Sequence, residues 1–253
     1  FVYASLRLLP LMQQFYAGWA GLTESRAAVL DILSFLTQPS LIYNQDNNKK
    51  IFFNNNIEFK NVSFTYKNSS KLILKNFNNK ICKGDKVGIK GDTGSGKSTL
   101  VDLLMGLLRP TKGYILVDDK NINTNLASWQ NNISHVPQNI FLADASIAEN
   151  IAFGVPKKFI DYEKVKKAAI SADIHEVIEG RPNKYNELVG EKGIKLSGGQ
   201  RQRIGIARAL YKDATIIIFD EATNALDELT EKNVLSTIFK LDKDITIVII
   251  SHK

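Results

Sequence analysis

Residues 91–99 read Gly91-Asp92-Thr93-Gly94-Ser95-Gly96-Lys97-Ser98-Thr99, a spacing suited to a backbone cradle for phosphate. Glycines are needed there because amide groups must curl toward one anion through φ/ψ values that side chains obstruct. The helical run expected at 100–108 adds the positive end of its dipole to that cradle. Lys97 is expected to reach the β- and γ-phosphates of a nucleotide, and the Ser98 hydroxyl to ligate Mg²⁺. A second chemical cluster, Asp220-Glu221, closes the apolar run Thr215-Ile216-Ile217-Ile218-Phe219. Both carboxylates are expected at the C-terminal edge of a buried strand, where ligands gather in open α/β sheets. Asp220 suits a contact to the metal through water, and Glu221 is expected to polarise an attacking water.

A third group is Leu196-Ser197-Gly198-Gly199-Gln200, followed by Arg201-Gln202-Arg203 and a helical run through Ala207, Ala209 and Leu210. Ser197 suits the N-cap of that helix. Gly198 and Gly199 leave backbone amides uncovered at its positive end, which makes a second anion-binding surface in the same chain.

These groups need a scaffold, and the chain alternates strands with helices from Ile57 onward. Ile57, Phe59, Val62 and Phe64 make a half-buried strand pattern with a slip near Asn61. Residues 86–90 are β-prone and lead straight into the glycine-rich turn, while 215–219 and 245–250 are apolar on both faces, as buried parallel strands are. Before this body, residues 1–36 show helical spacing at Leu6, Leu9, Met12 and Phe15, then at Ala27, Leu30, Leu33 and Phe35. Gly18 and Gly21 predict a bend, with Thr23 capping a second helix. Residues 38–56, with Pro39 and the polar run 44–50, read as a linker. The fold class is α/β.

Composition narrows the function. The chain has 253 residues, 44% of them hydrophobic, which excludes global disorder. Its single cysteine, Cys82, excludes a disulfide scaffold and fits a reducing compartment. No apolar run approaches the roughly 20 residues that span a bilayer. Opening on Phe1 without methionine suggests a piece of a longer protein. The 33 basic and 26 acidic residues leave +7, but the lysines are scattered among asparagines rather than clustered, so no nucleic-acid partner is expected. His135 and His175 belong to no motif and read as structural or surface residues.

The Leu196–Gln200 run resembles the LSGGQ signature of ABC transporter nucleotide-binding domains. Other motifs resemble that family one at a time. Phe64-Thr65-Tyr66 is similar to its aromatic loop, which implies that Tyr66 stacks on adenine. Val136-Pro137-Gln138 is similar to the Q-loop, which implies a place for Gln138 near the metal, the attacking water and the membrane-domain contact. Val189-Gly190-Glu191-Lys192-Gly193 resembles the stretch preceding the signature in exporters. Asn224-Ala225-Leu226-Asp227 resembles the D-loop, with Asn224 departing from the usual serine. Ser251-His252 resembles the switch histidine at the γ-phosphate. The family places ATP between Gly91, Asp92, Thr93, Gly94, Ser95, Gly96, Lys97, Ser98 and Thr99 of one protomer and Ser197, Gly198, Gly199, Gln200 and Asp227 of another. The implied catalytic residues are Glu221, His252 and Gln138; the implied metal residues are Ser98, Gln138 and Asp220; the cofactors are ATP and Mg²⁺.

The resemblance therefore implies a P-loop NTPase (ABC ATPase) domain with an antiparallel β subdomain and a helical signature subdomain, preceded by a helical extension. Residues 1–37 correspond to the cytoplasmic end of a transmembrane domain, 38–56 to a linker, and 57–253 to the nucleotide-binding domain, cut after the switch histidine. The lead-in with Arg7-Leu8-Leu9-Pro10, and residues 141–154 (FLADASIAENIAFG), resemble exporters, most of all flippases of lipids and lipid-linked glycans. Soluble ABC ATPases of translation or DNA repair form the competing class. Expected partners are a second copy or a homologous half-transporter, the coupling helices of the membrane domain, and the membrane itself. The implied location is a bacterial inner membrane, with this domain on the cytoplasmic side.

Overall fold

The computed structural model describes residues 2–37, 50–67, 69, 71–92, 94–220, 232, 236, 238–239 and 243–251. It divides into two units, at residues 1–44 and 45–253.

The first unit is one helix, α1 (Val2–Leu36), about 52 Å long at 1.5 Å per residue. The expected bend at Gly18 and Gly21 is absent. A helical glycine costs only about 1 kcal/mol relative to alanine, and the surrounding run of good helix formers outweighs it. Thr23 does not cap; its hydroxyl donates to the carbonyls of Trp19 (2.6 Å) and Ala20 (3.1 Å) within the helix. Leu9, Met12, Phe15, Trp19, Leu22 and Leu33 are all exposed. Among the described residues, no helix is long and apolar enough to cross a membrane.

The second unit holds two sheets. The antiparallel one comprises β1 (Asn56–Thr65), β2 (Leu72–Cys82), β4 (Lys112–Val117) and the short β5 (Lys120–Asn121), in the order β2-β1-β4-β5. The expected slip is real: the β1–β2 register shifts between Phe59 and Val62, with Asn61 at φ 49°. The parallel sheet is β3-β8-β7-β6, built from β3 (Lys86–Lys90), β8 (Thr246–Ser251), β7 (Ile216–Asp220) and β6 (Ile133–Val136). Helices α2 (Lys97–Leu104), α3 (Leu126–Asn131), α4 (Ile147–Ile151), α5 (Tyr162–Ser171), α6 (His175–Glu179) and α7 (Gly198–Tyr211) fill the connections. α2 stops short of the expected residue 108. Gly106 turns there at φ +71°, in a place where a Cβ would lie 2.6 Å from Leu126.

β7 shows why its run is apolar throughout. Ile217 and Phe219 pack with α4, α5 and α7 on one face, while Ile216 and Ile218 join Trp129, α2 and the antiparallel sheet on the other. That second core also takes Ile51 and Phe53, each 2% exposed, so the packed domain begins inside the expected 38–56 linker. Two spaced hydrophobes in a polar stretch are enough once hydrogen bonds fix them. Ser128 Oγ accepts from Ile51 N (2.8 Å), and Asn132 Nδ2 donates to Ile51 O (2.9 Å).

Candidate active site

Because β3, β8, β7 and β6 are parallel, their C-terminal ends share one edge. Lys90 ends β3 and passes the chain to Gly91; β7 ends on Asp220; β6 ends at Val136, two residues before Gln138. Lys90 pairs with Ser251, and Asp220 with Ile250. Motifs separated by more than a hundred residues thus meet at the sheet edge where open α/β folds bind ligands.

The glycine-rich loop has the conformation its residues require. Gly94 and Gly96 take φ +80° and +94°, the left-handed region that glycine enters at little cost. At Gly91 a Cβ would lie 2.7 Å from Ser95 Oγ. Gly96 is the N-cap of α2 and supplies no side-chain cap, so the helix's positive end faces the loop. Lys97 is 7% exposed, and its Nζ donates to the carbonyls of Gly91 (2.8 Å) and Asp92 (3.0 Å). Tyr66 enters from the antiparallel sheet: its hydroxyl lies 3.0 Å from Thr99 Oγ1, and its ring meets Phe64 edge-on at 4.9 Å. The Tyr66–Thr99 contact ties the residue just after β1 to the first turn of α2, which follows the loop.

Asp220 lies 4.0 Å from His135 Nε2, so a histidine that no motif contains stands beside the acid at the end of β7. Strand pairing explains this, since His135 lies opposite Ile218 on the neighbouring strand. Burial lowers the His135 pKa against the pull of Asp220 and Asp102, while burial and the nearby Asp220 raise that of Asp102 despite His135. His175, by contrast, hydrogen-bonds Tyr185 at 2.8 Å, a structural role. Ser98, Asp220 and Gln138 offer hydroxyl, carboxylate and amide oxygens with solvent access. Hard oxygen donors open to solvent are of the kind that suits Mg²⁺, which takes oxygen ligands and keeps several waters.

The signature helix begins with a full capping box. Ser197 Oγ accepts from Gln200 N (3.2 Å), and Gln200 Oε1 accepts from Ser197 N (3.1 Å). Arg181 Nη2 also donates to Gln200 Oε1 at 3.2 Å, a partner with no local sequence signal, because it reaches the helix from a separate turn. The loop before the signature lies against the segment after the Q-loop. A Cβ on Gly193 would come within 2.7 Å of buried Leu142, and Val189 N donates to Ala145 O at 3.1 Å. Around them Phe141, Phe153, Leu188 and Ile194 stay exposed. Thr93, Glu221, Asn224, Asp227 and His252 lie outside the described residues.

A family model described as ABC transporter matches residues 74–224. The chain belongs to the ABC transporter family. Similar proteins include the ATP-dependent lipid A-core flippase 2 of Colwellia psychrerythraea, 43% identical over 78% of this chain and 34% of its own length. The alpha-hemolysin translocation ATP-binding protein HlyB of Escherichia coli O157:H7 is also 43% identical, over 78% of this chain and 28% of its own. A bacterial Atm1-family ABC exporter solved with ATP bound superposes with a TM-score of 0.78 at 33% identity, over 91% of this chain and 40% of its own. The ABC ATPase fold expected from the motifs is therefore present, and the resemblance to exporter-type members holds. A soluble ATPase of translation or repair is not favoured. The chain spans about a third or less of the length of these curated relatives.

Proposed function

We propose that this chain is the ATP-hydrolysing part of a membrane exporter, working as a pair of nucleotide domains. The observation that carries this reading is the shared sheet edge, which gathers the 91–99 loop, Asp220 and the Gln138 strand. In the proposed cycle, Lys97 leaves the Gly91 and Asp92 carbonyls for the β- and γ-phosphates. The amides of the loop and the uncapped start of α2 hold the remaining phosphate charge. Tyr66 stacks on adenine, kept near the loop by Thr99. Ser98, Asp220 and Gln138 would hold Mg²⁺, which would supply positive charge to offset that of the phosphates. Glu221 takes a proton from the water as its oxygen attacks the γ-phosphorus, the bond from that phosphorus to the bridging oxygen breaks to release ADP, and His252 contacts the γ-phosphate. Ser197, Gly198, Gly199, Gln200 and Asp227 of a second copy, or of a homologous half-transporter, close the other side. Catalysis is then mostly positioning and electrostatic stabilisation.

In this reading residues 1–37 are the cytoplasmic end of a membrane domain, in keeping with the apolar side chains exposed along α1. The exposed Phe141, Phe153, Leu188 and Ile194 meet coupling helices. The protein belongs in a bacterial inner membrane with this domain on the cytoplasmic side. Its cargo is a lipid or lipid-linked glycan, supported by the lipid A-core flippases among its relatives. The test is Glu221→Gln in the full-length protein. Hydrolysis should slow at least about a hundredfold, within the range of a lost general base, while ATP stays bound and a dimer is trapped on size exclusion. Near-normal turnover would reject Glu221 as the residue that activates water.

A further inference from the structure

The last turn of α7 is fastened to residues 141–153 by one side chain. Arg208 Nε donates to Asn150 O (2.9 Å), Nη1 to Phe141 O (3.1 Å) and Nη2 to Asn150 Oδ1 (3.4 Å). Its guanidinium also lies 4.6 Å from the centre of the Phe153 ring, within cation–π range. Asn150 is fully buried and sets the shape of the segment. Its Oδ1 accepts from Ala143 N (2.9 Å), and its Nδ2 donates to the carbonyls of Ala143 (3.0 Å) and Ser146 (3.1 Å). One fork therefore holds the beginning of the segment at Phe141, its middle at Asn150 and its end at Phe153.

The residue type is informative. Among the described residues no carboxylate forms a salt bridge with Arg208, and burial lowers its pKa. The charge is met by carbonyl oxygens and an aromatic face. Space alone could be filled by an apolar side chain without the cost of desolvating a cation. Simultaneous contact with two carbonyls and a ring needs the rigid, planar guanidinium, which a lysine ammonium does not reproduce.

We propose that Arg208 is a positioning residue that makes α7 and the 141–153 segment move as one body, so that nucleotide captured at the Ser197 end is felt at exposed Phe141 and Phe153. α7 is about 21 Å long, a rigid strut between the two places, and coupling of this kind travels through such packed elements. The inference rests on the composite nucleotide site described above.

The experiment is hydrogen exchange on the full-length protein in lipid nanodiscs, with and without ATP, magnesium and vanadate. In the wild type, nucleotide should slow exchange at 197–200 and also change it at 141–153. Arg208→Lys should keep the response at 197–200 and shrink that at 141–153 at least about fivefold, the lower end of typical coupling between sites. A merely structural role would raise exchange equally with and without nucleotide and leave the difference intact. Phe153→Leu removes the stacked aromatic face but keeps an apolar side chain at this exposed position, so it serves if the lysine variant fails to assemble, and it should weaken the 141–153 response in part. A full response at 141–153 in either folded variant overturns the proposal. No response at 197–200 in the wild type overturns the composite site itself.

Discussion

The helix behind the glycine-rich loop and the helix behind the LSGGQ run start in opposite ways, although in the proposed reading both turn a positive end toward phosphate. α2 begins at Gly96, which has φ +94° and no side chain to cap with. α7 begins at Ser197, whose hydroxyl and backbone amide are both engaged by Gln200. The first start leaves its amides to a ligand and relies on a glycine backbone that no other residue adopts cheaply. The second stabilises its own helix within the monomer. A third start separates stabilisation from chemistry further. α4 carries a capping box of the same form, but with Glu149 where α7 has Gln200: Ser146 N and Oγ donate to the Glu149 carboxylate at 3.0 and 2.5 Å. The α4 cap can titrate, and the α7 cap cannot. In the proposed reading the signature helix accepts anionic phosphate, and a neutral amide suits its cap better than a carboxylate that would repel that anion.

Three measurements test this contrast. The largest effect is expected at α2. Lys97→Ala removes the charged partner of the phosphates, worth about 1.5–3 kcal/mol for a charge-assisted hydrogen bond, so an ATP titration should weaken by about ten- to a hundredfold. A loss below about threefold would mean that backbone amides alone carry affinity. Next comes α7. Ser197→Ala should cost about 1 kcal/mol of stability, as capping serines do, read by chemical denaturation, with ATP affinity of the single domain unchanged. A fall in that affinity would show that Ser197 serves its own protomer's nucleotide.

The smallest effect concerns α4. Hydrogen bonds from the Ser146 side chain and backbone, with Lys157 nearby, outweigh burial and hold Glu149 below its ordinary value of 4.5. A depressed carboxylate stabilises the fold at pH above its unfolded value, and that contribution is lost as pH falls through the lower folded value. Amides of α4 should therefore lose protection from exchange below about pH 4, while those of α7 do not lose it by this route. Glu149→Gln should abolish the difference, and its persistence would place the titrating group elsewhere.

The loop, the acid at the end of β7 and the capped signature were readable because each is local. Spacing of a few residues fixes a glycine turn, a strand end or an N-cap. The twofold apolar face of β7 was readable for the same reason. What escaped the sequence lies between distant residues. Ile51 and Phe53 looked like linker until Ser128 and Asn132 fixed them in the core. His135 looked incidental until pairing of β6 with β7 set it beside Asp220. Arg208 sat within a helical pattern with nothing to mark what its guanidinium would reach. Gly18 and Gly21 misled in the other direction: local breaking tendency lost to the length of α1.

The sequence by itself determined the glycine-rich turn, the buried strand that ends on Asp220, the capped signature helix and, through them, the family. Those features depend on backbone conformation and on hydrogen bonds that close within one turn or one strand. Only the tertiary structure decided that β3, β8, β7 and β6 line up to bring the motifs to one edge, that Tyr66 crosses from the other sheet to Thr99, and that Arg208 binds the signature helix to residues 141–153. Such contacts join residues many positions apart, and no local periodicity encodes them; they form only when two buried faces with compatible hydrogen-bonding groups have packed together.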